Sequence, residues 1–108
     1  MRKILWLSRH DIDGKQMSVL KKQFGPCEFK HVRKEVKSAD TVLELMKKHK
    51  AETLVAILPV KITQELLKQG VQPIRPVMKR EKTDDGICFE FSHFERVEKI
   101  EVVTRKLA

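Results

Sequence analysis

Two short, almost continuous apolar runs, Lys3–Leu7 and Thr53–Leu58, constrain the fold of this chain most strongly. Neither run alternates between apolar and polar residues, as a strand with one solvated face does. Runs of this length and composition are typical of strands covered on both faces, which occur mainly in parallel sheets. We therefore expect Thr53–Leu58, the more apolar run, to be the central strand of a sheet with helices on both sides.

The segments around these runs alternate between helix and strand patterns. Apolar residues recur at helical spacing in three segments, Asp13–Phe24, Ser38–Lys48 and Lys61–Gln69. Asp13 and Gln16 fit a capping box, and Gly25 and Gly70 are natural helix stops. A polar, peripheral strand is predicted over Cys27–Val32. Such alternation implies right-handed crossovers and a parallel sheet.

The C-terminal third has strand patterns without further helices. Val71–Met78 predicts a strand, and its two prolines favour an edge or bulged position because proline lacks an amide donor. Ile87–Phe91 and Glu98–Arg105 predict two more strands after a turn at Thr83–Gly86. The predicted fold is a single α/β domain over residues 1–108. It has a Rossmann-like, mostly parallel sheet, three helices and a C-terminal two-stranded antiparallel extension.

Composition favours an anionic partner and disfavours several classes of protein. The 108 residues include 23 Lys and Arg against 15 Asp and Glu, a net charge of +8. Such an excess in a small domain suits nucleic acids, nucleotides or other phosphate-bearing ligands. No run is long enough to span a membrane, and the N-terminus resembles neither a signal peptide nor an anchor. We expect a cytoplasmic protein with Cys27 and Cys88 reduced.

Two loops are the best candidates for a binding site, because open α/β sheets bind ligands at the carboxyl ends of their strands. One follows the first strand and the other follows the third, and these strands should be neighbours. The candidate catalytic residues are Ser8, Arg9 and His10. The candidate ligand-binding residues are Asp11, Pro59, Val60 and Lys61, with Arg75 and Lys79 widening the basic rim.

The types of the three catalytic candidates suit phosphate chemistry. Ser8 offers a hydroxyl, Arg9 a planar guanidinium for phosphate oxygens, and His10 a group that titrates near neutrality. Helix N-termini beside them would add amide donors. None of the four histidines has metal-ligand spacing, and neither a dinucleotide fingerprint nor a phosphate-binding loop is present. We therefore expect no cofactor and no bound metal.

With these loops identified, the chain resembles the small Rossmann-like accessory proteins of type III CRISPR systems. The resemblance rests on Ser8-Arg9-His10, on Ile57-Leu58-Pro59-Val60, and on the helix and strand that follow, and it covers about half of the chain. Some members are ring nucleases. The resemblance implies metal-independent cleavage of a cyclic oligoadenylate messenger, such as cyclic tetra-adenylate, by a homodimer in antiviral signalling.

The resemblance also implies roles for individual residues. Arg9 would bind the scissile phosphate, and His10 would move a proton or donate one to the leaving oxygen. Ser8 and the turn at Val60 and Lys61 would position the backbone. The segment after residue 80 departs from the family pattern.

Two other functions remain open on the sequence. A non-catalytic module that binds cyclic nucleotides, nucleic acid or an acidic protein needs the same arginine and amides. A histidine-phosphatase-like enzyme also places Arg-His after its first strand, and Phe91-Ser92-His93 faintly resembles its second histidine. In that enzyme His10 would be a phosphorylated nucleophile, although Asp11 stands where such enzymes have glycine.

Overall fold

Strands and helices alternate along most of the chain in a computed structural model, which describes residues 1–100 and 106–107. The strands are β1 (Arg2–Leu7), β2 (Cys27–Val32), β3 (Thr53–Ala56), β4 (Ile74–Thr83) and β5 (Gly86–Arg96). The helices are α1 (Gly14–Phe24), α2 (Ala39–Lys48) and α3 (Val60–Lys68). The predicted fold class, with three helices and a mostly parallel sheet, is confirmed.

The five strands form one sheet in the order β2-β1-β3-β4-β5. The first four strands in this order are parallel, and β5 runs antiparallel to β4. The expected pairing of the first and third strands is confirmed, with Trp6 opposite Val55. The position of β3 in the middle of the sheet and of β2 at an edge also agrees with the sequence patterns.

The buried strands present apolar side chains to both faces of the sheet, as their sequences predict. Toward α2 and α3, the core comprises Leu5, Leu7, Leu54 and Ala56 of the strands with Val42 and Leu66 of the helices. Toward α1, it comprises Ile4, Trp6, Val55 and Ile74 of the strands with Leu20 of the helix. Because side chains alternate along a strand, one apolar run supplies both cores.

The helix boundaries follow local chemistry. Asp13 and Gln16 form the expected capping box at the start of α1, and the amide of Gly25 closes its end at φ 78°. Ser38 caps α2 by accepting a hydrogen bond from the amide of Thr41. These contacts satisfy backbone groups that a helix leaves free at its ends.

The C-terminal strands differ from the expectation in their extent and partners. β4 continues to Thr83 and pairs with β5, so the antiparallel extension is the β4–β5 hairpin. The strand containing Pro76 is bulged near Val77 and Met78 but is not at an edge. Of the strand expected over Glu98–Arg105, residues 98–100 lie outside any strand, and residues 101–105 lie outside the described residues.

Two phenylalanines of β5 provide a matched test of the core. Phe91 is 5% exposed and packs against Phe94 in a tilted ring contact, with ring centroids 4.8 Å apart, whereas Phe89 is 66% exposed. We expect Phe91→Ala to lower the free energy of unfolding by about 3–5 kcal/mol, because it leaves a cavity. Phe89→Ala should change it by about 0.5 kcal/mol or less. Urea denaturation measures both, and equal losses would contradict the structure.

Glu95 of β5 supports a prediction about pH. The imidazole of His93 and the guanidinium of Arg75 donate hydrogen bonds to its carboxylate, which lowers the pKa of Glu95. A lowered pKa stabilises the fold above the ordinary pKa of glutamate and ceases to do so as pH falls through the folded value. Glu95→Gln should therefore reduce the melting temperature more at pH 7 than at pH 3.

The control for that measurement is Glu44→Gln, which removes a carboxylate that forms no ion pair within the described ranges. It should alter the melting temperature equally little at both pH values. A decrease in the melting temperature of Glu95→Gln that does not depend on pH would refute the role assigned to the carboxylate.

Candidate functional site

The loops that follow β1, β2 and β3 meet at the carboxyl edge of the sheet and enclose an open groove of about 510 Å³. Its lining comes from three separate segments, Leu7–His10, Lys34–Val36 and Ile57–Pro59. The loops after the first and third strands are neighbours because β1 and β3 are paired. This edge is where open parallel sheets bind ligands. We call it the carboxyl-edge groove.

Three side chains, of which Trp6 is buried, hold the backbone of the loop after β1 in place. The indole Nε1 of Trp6 donates a hydrogen bond of 2.8 Å to the carbonyl oxygen of His10. The Nε2 atom of His31 lies 2.8 Å from the carbonyl oxygen of Ser8, and it donates because a carbonyl can only accept. The hydroxyl of Ser8 accepts from the amide of His10 at 3.1 Å. The loop is therefore rigidly supported.

The side chains of Arg9 and His10 remain exposed on this supported loop and line the groove. The Nη2 atom of Arg9 lies 3.1 Å from the Oε2 atom of Glu35, with the two side chains 76% and 70% exposed. Exposed ion pairs contribute about 0–1 kcal/mol. An anion that enters the groove therefore competes with Glu35 at little cost.

Asp11 belongs to the same loop but has other partners. Its Oδ1 atom accepts a hydrogen bond from the guanidinium of Arg33 and lies 3.5 Å from the Nδ1 atom of His31. It is not part of the groove lining. Asp11, which is predicted to bind ligand, therefore connects the loop after β1 to the end of β2 and to the segment that follows it.

Pro59 precedes α3 and lines the groove, but the next two residues face elsewhere. Val60 lines a second cavity, of about 490 Å³, on the α3 side of the hairpin. Lys61 lines a third cavity, beside the start of α2. The helical turn that begins at Val60 directs these side chains away from the loop after β1.

The two predicted rim residues on β4 also lie off the groove. Arg75 lines the second cavity and pairs with Glu95 at 3.1 Å. Lys79 lies farther along the hairpin and pairs with Glu81 at 3.5 Å. The structure therefore brings Ser8, Arg9, His10 and Pro59 together. Arg75 lies in an adjoining cavity that shares Ile57 and Leu58 with the groove, and Lys79 lines neither cavity.

Sequence reasoning missed the segment after β2. Lys34 and Glu35 line the groove, and His31 and Arg33 support the loop that carries Arg9. The rule that selected the other two loops applies equally to the carboxyl end of β2 and would have found these residues. Within residues 1–100 and 106–107, no group of three or more His, Cys, Asp or Glu side chains is placed to hold a metal ion.

Comparisons with protein-family models, curated proteins and solved structures found no match to this chain. Within the described residues, no helix has the length and apolar character needed to cross a membrane.

The pairing of Arg9 with Glu35 generates a prediction about anion binding. Glu35→Gln should tighten pyrophosphate binding by up to about five-fold, because it removes a competing carboxylate from an exposed pair. Isothermal titration calorimetry measures the change. Glu81→Gln is the matched control, since Glu81 pairs with Lys79 outside the groove. Equal effects of the two variants would show that only net charge matters.

Proposed function

We propose that this protein is a metal-independent ring nuclease that binds a cyclic oligoadenylate in the carboxyl-edge groove and cleaves one of its phosphodiesters. The observation that carries the proposal is the position of Arg9 and His10 on one supported loop facing the loop before α3. A guanidinium and an imidazole on a rigid backbone are the groups that a phosphodiester needs for binding and proton transfer.

The proposed reaction uses a nucleophile from the substrate itself. The 2′-hydroxyl oxygen forms a bond to the adjacent phosphorus, and the bond from phosphorus to the 5′-oxygen breaks. The products are a 2′,3′-cyclic phosphate and a 5′-hydroxyl. The proton lost by the 2′-hydroxyl passes to a base, and the 5′-oxygen gains one. In this scheme His10 moves the proton of the 2′-hydroxyl or donates one to the leaving 5′-oxygen, and Arg9 neutralises the charge on the phosphoryl oxygens.

The size of the groove supports a ligand that is shared between two copies of the protein. A cavity of about 510 Å³ lies in the range that holds a drug-sized molecule. It accommodates one phosphodiester with its neighbouring nucleosides rather than a whole cyclic oligonucleotide. A homodimer would present two such grooves to a two-fold symmetric ring, so we include a symmetric dimer in the proposal.

The alternative of a histidine phosphatase is less well supported by the geometry. His10 lines the carboxyl-edge groove, whereas His93 lines a different cavity, beside Leu20 and Phe94. The Nε2 atom of His93 also lies 3.2 Å from the carboxylate of Glu95. Two histidines in separate cavities cannot act on one phosphoryl group. Binding without cleavage uses the same groove, and the assay below separates it from catalysis.

Incubation with cyclic tetra-adenylate in the presence of EDTA, followed by chromatography, tests the proposal. We expect a linear product ending in a 2′,3′-cyclic phosphate. Arg9→Ala should lower turnover by about 10²–10³-fold through lost charge stabilisation. His10→Ala should lower it by about 10²–10⁴-fold, with a smaller change in affinity.

The matched control is Lys68→Ala, since Lys68 forms an exposed pair with a glutamate, as Arg9 does, but lies at the end of α3 and is not part of the groove lining. It should cleave like the wild type. A tight complex with an unchanged ring would identify a binding module, and absence of binding would refute both functions. Undiminished cleavage by Arg9→Ala and His10→Ala would refute the assignment of these residues.

A further inference from the structure

The outer half of the β4–β5 hairpin projects beyond the rest of the sheet. β4 pairs with β3 only where Ile74 lies opposite Val55. From Met78 to Thr83, its partner among the described strands is β5 alone. At about 3.3 Å per residue, this two-stranded part extends roughly 17 Å.

The register assigns the side chains of this projection to two faces, because directly paired residues share a face. One face carries the pairs Met78–Phe91, Arg80–Phe89 and Lys82–Ile87. The opposite face carries Lys79–Glu90 and Glu81–Cys88. We call the first the hairpin cationic face and define it by Met78, Arg80, Lys82, Ile87 and Phe89.

Charge is segregated between these faces. The acidic residues of the paired strands in this projection, Glu81 and Glu90, are both on the opposite face, where Glu81 also pairs with Lys79. Arg80 and Lys82 are exposed and form no ion pair with any residue that the structure describes. The remaining acids of the hairpin tip, Asp84 and Asp85, lie in the turn. The hairpin cationic face therefore presents positive charge along its strands.

Apolar groups lie between these cations and are open to solvent. Phe89 is 66% exposed, Ile87 52% and Met78 44%. Phe91, two residues inward on the same face, is 5% exposed, and its carbonyl oxygen accepts a hydrogen bond from Lys15 of α1. The face is thus anchored to the α1 side of the core at its base and uncovered toward its tip.

We propose that the hairpin cationic face binds single-stranded nucleic acid, with a base stacked on Phe89 and phosphates neutralised by Arg80 and Lys82. An exposed aromatic ring beside unpaired cations is the combination that single-strand-binding proteins use. A second copy of the chain fits less well, since face-to-face packing would bring four cations together, and like charges in an interface are unfavourable. This inference is independent of the proposed ring nuclease activity.

Fluorescence anisotropy with a fluorescein-labelled 12-nucleotide oligo(dT) tests the proposal, since this strand lacks the 2′-hydroxyl needed for cleavage. Phe89→Ala should weaken binding by about five-fold or more, and Phe89→Trp should retain it, because stacking requires only an aromatic face. Replacing Arg80 and Lys82 together by alanine should reduce the slope of log affinity against log salt by about 1.4. Lys79→Ala, on the opposite face, should leave that slope nearly unchanged.

Arg9→Ala separates this site from the carboxyl-edge groove and should bind oligo(dT) like the wild type. Loss of oligo(dT) binding in Arg9→Ala with no effect of Phe89→Ala would overturn the proposal. An absence of oligo(dT) binding by the wild type would also overturn the proposal. That holds even if the face then binds phosphatidylserine vesicles or mediates self-association detected by light scattering. Because Phe89 is exposed, circular dichroism should show that Phe89→Ala is folded.

Discussion

The side chain of Trp6 connects the core of this protein to its candidate site. The ring is 3% exposed between the sheet and α1, and it meets Phe94 edge to face at 6.3 Å. Its Nε1 atom donates a hydrogen bond to the carbonyl oxygen of His10. Since β1 is paired on both sides, the ring has little freedom to move. The loop that carries Arg9 and His10 therefore has a rigid support, although both side chains are exposed. This is the arrangement that a binding loop needs, because ordering it on ligand binding then costs little entropy.

The placement of charge matters more here than the net charge of +8. Arg9 and Arg75 each contact a glutamate at 3.1 Å on the surface, in pairs that contribute little to stability. In the groove, such a pair keeps a cation available to an anion that can replace the carboxylate. On the hairpin, by contrast, the strand register separates Arg80 and Lys82 from the acidic side chains on the other face. The same composition thus produces two surfaces with different electrostatic character.

Much of the fold could be predicted because its signals are local. The run Lys3–Leu7 predicts a strand buried on both faces, and β1 has this property. Asp13 with Gln16 marks the start of α1 through a contact between residues three apart. The prediction is less accurate where contacts between distant segments determine the extent and the pairing of a strand. The pattern of Thr53–Leu58 predicts a strand throughout, but β3 ends at Ala56, and Ile57 turns outward with 70% of its surface exposed. The sequence patterns predict an antiparallel extension made of the last two strands, Ile87–Phe91 and Glu98–Arg105, but β4 and β5 form it, because their pairing depends on contacts that periodicity does not encode.

The candidate site, like the fold, could be predicted only in part from the sequence. Local sequence patterns are enough to place polar loops after the first and third buried strands, with Ser8, Arg9, His10 and Pro59 in them. Which other charged residues line the groove depends on the folded chain, which adds Lys34 and Glu35 and directs Lys61 into another cavity. This is because the direction of a side chain depends on the rotation of its helix about the helix axis and on the strand that pairs with its own strand. Both are determined by packing between segments far apart in the chain, which no local pattern of residues records.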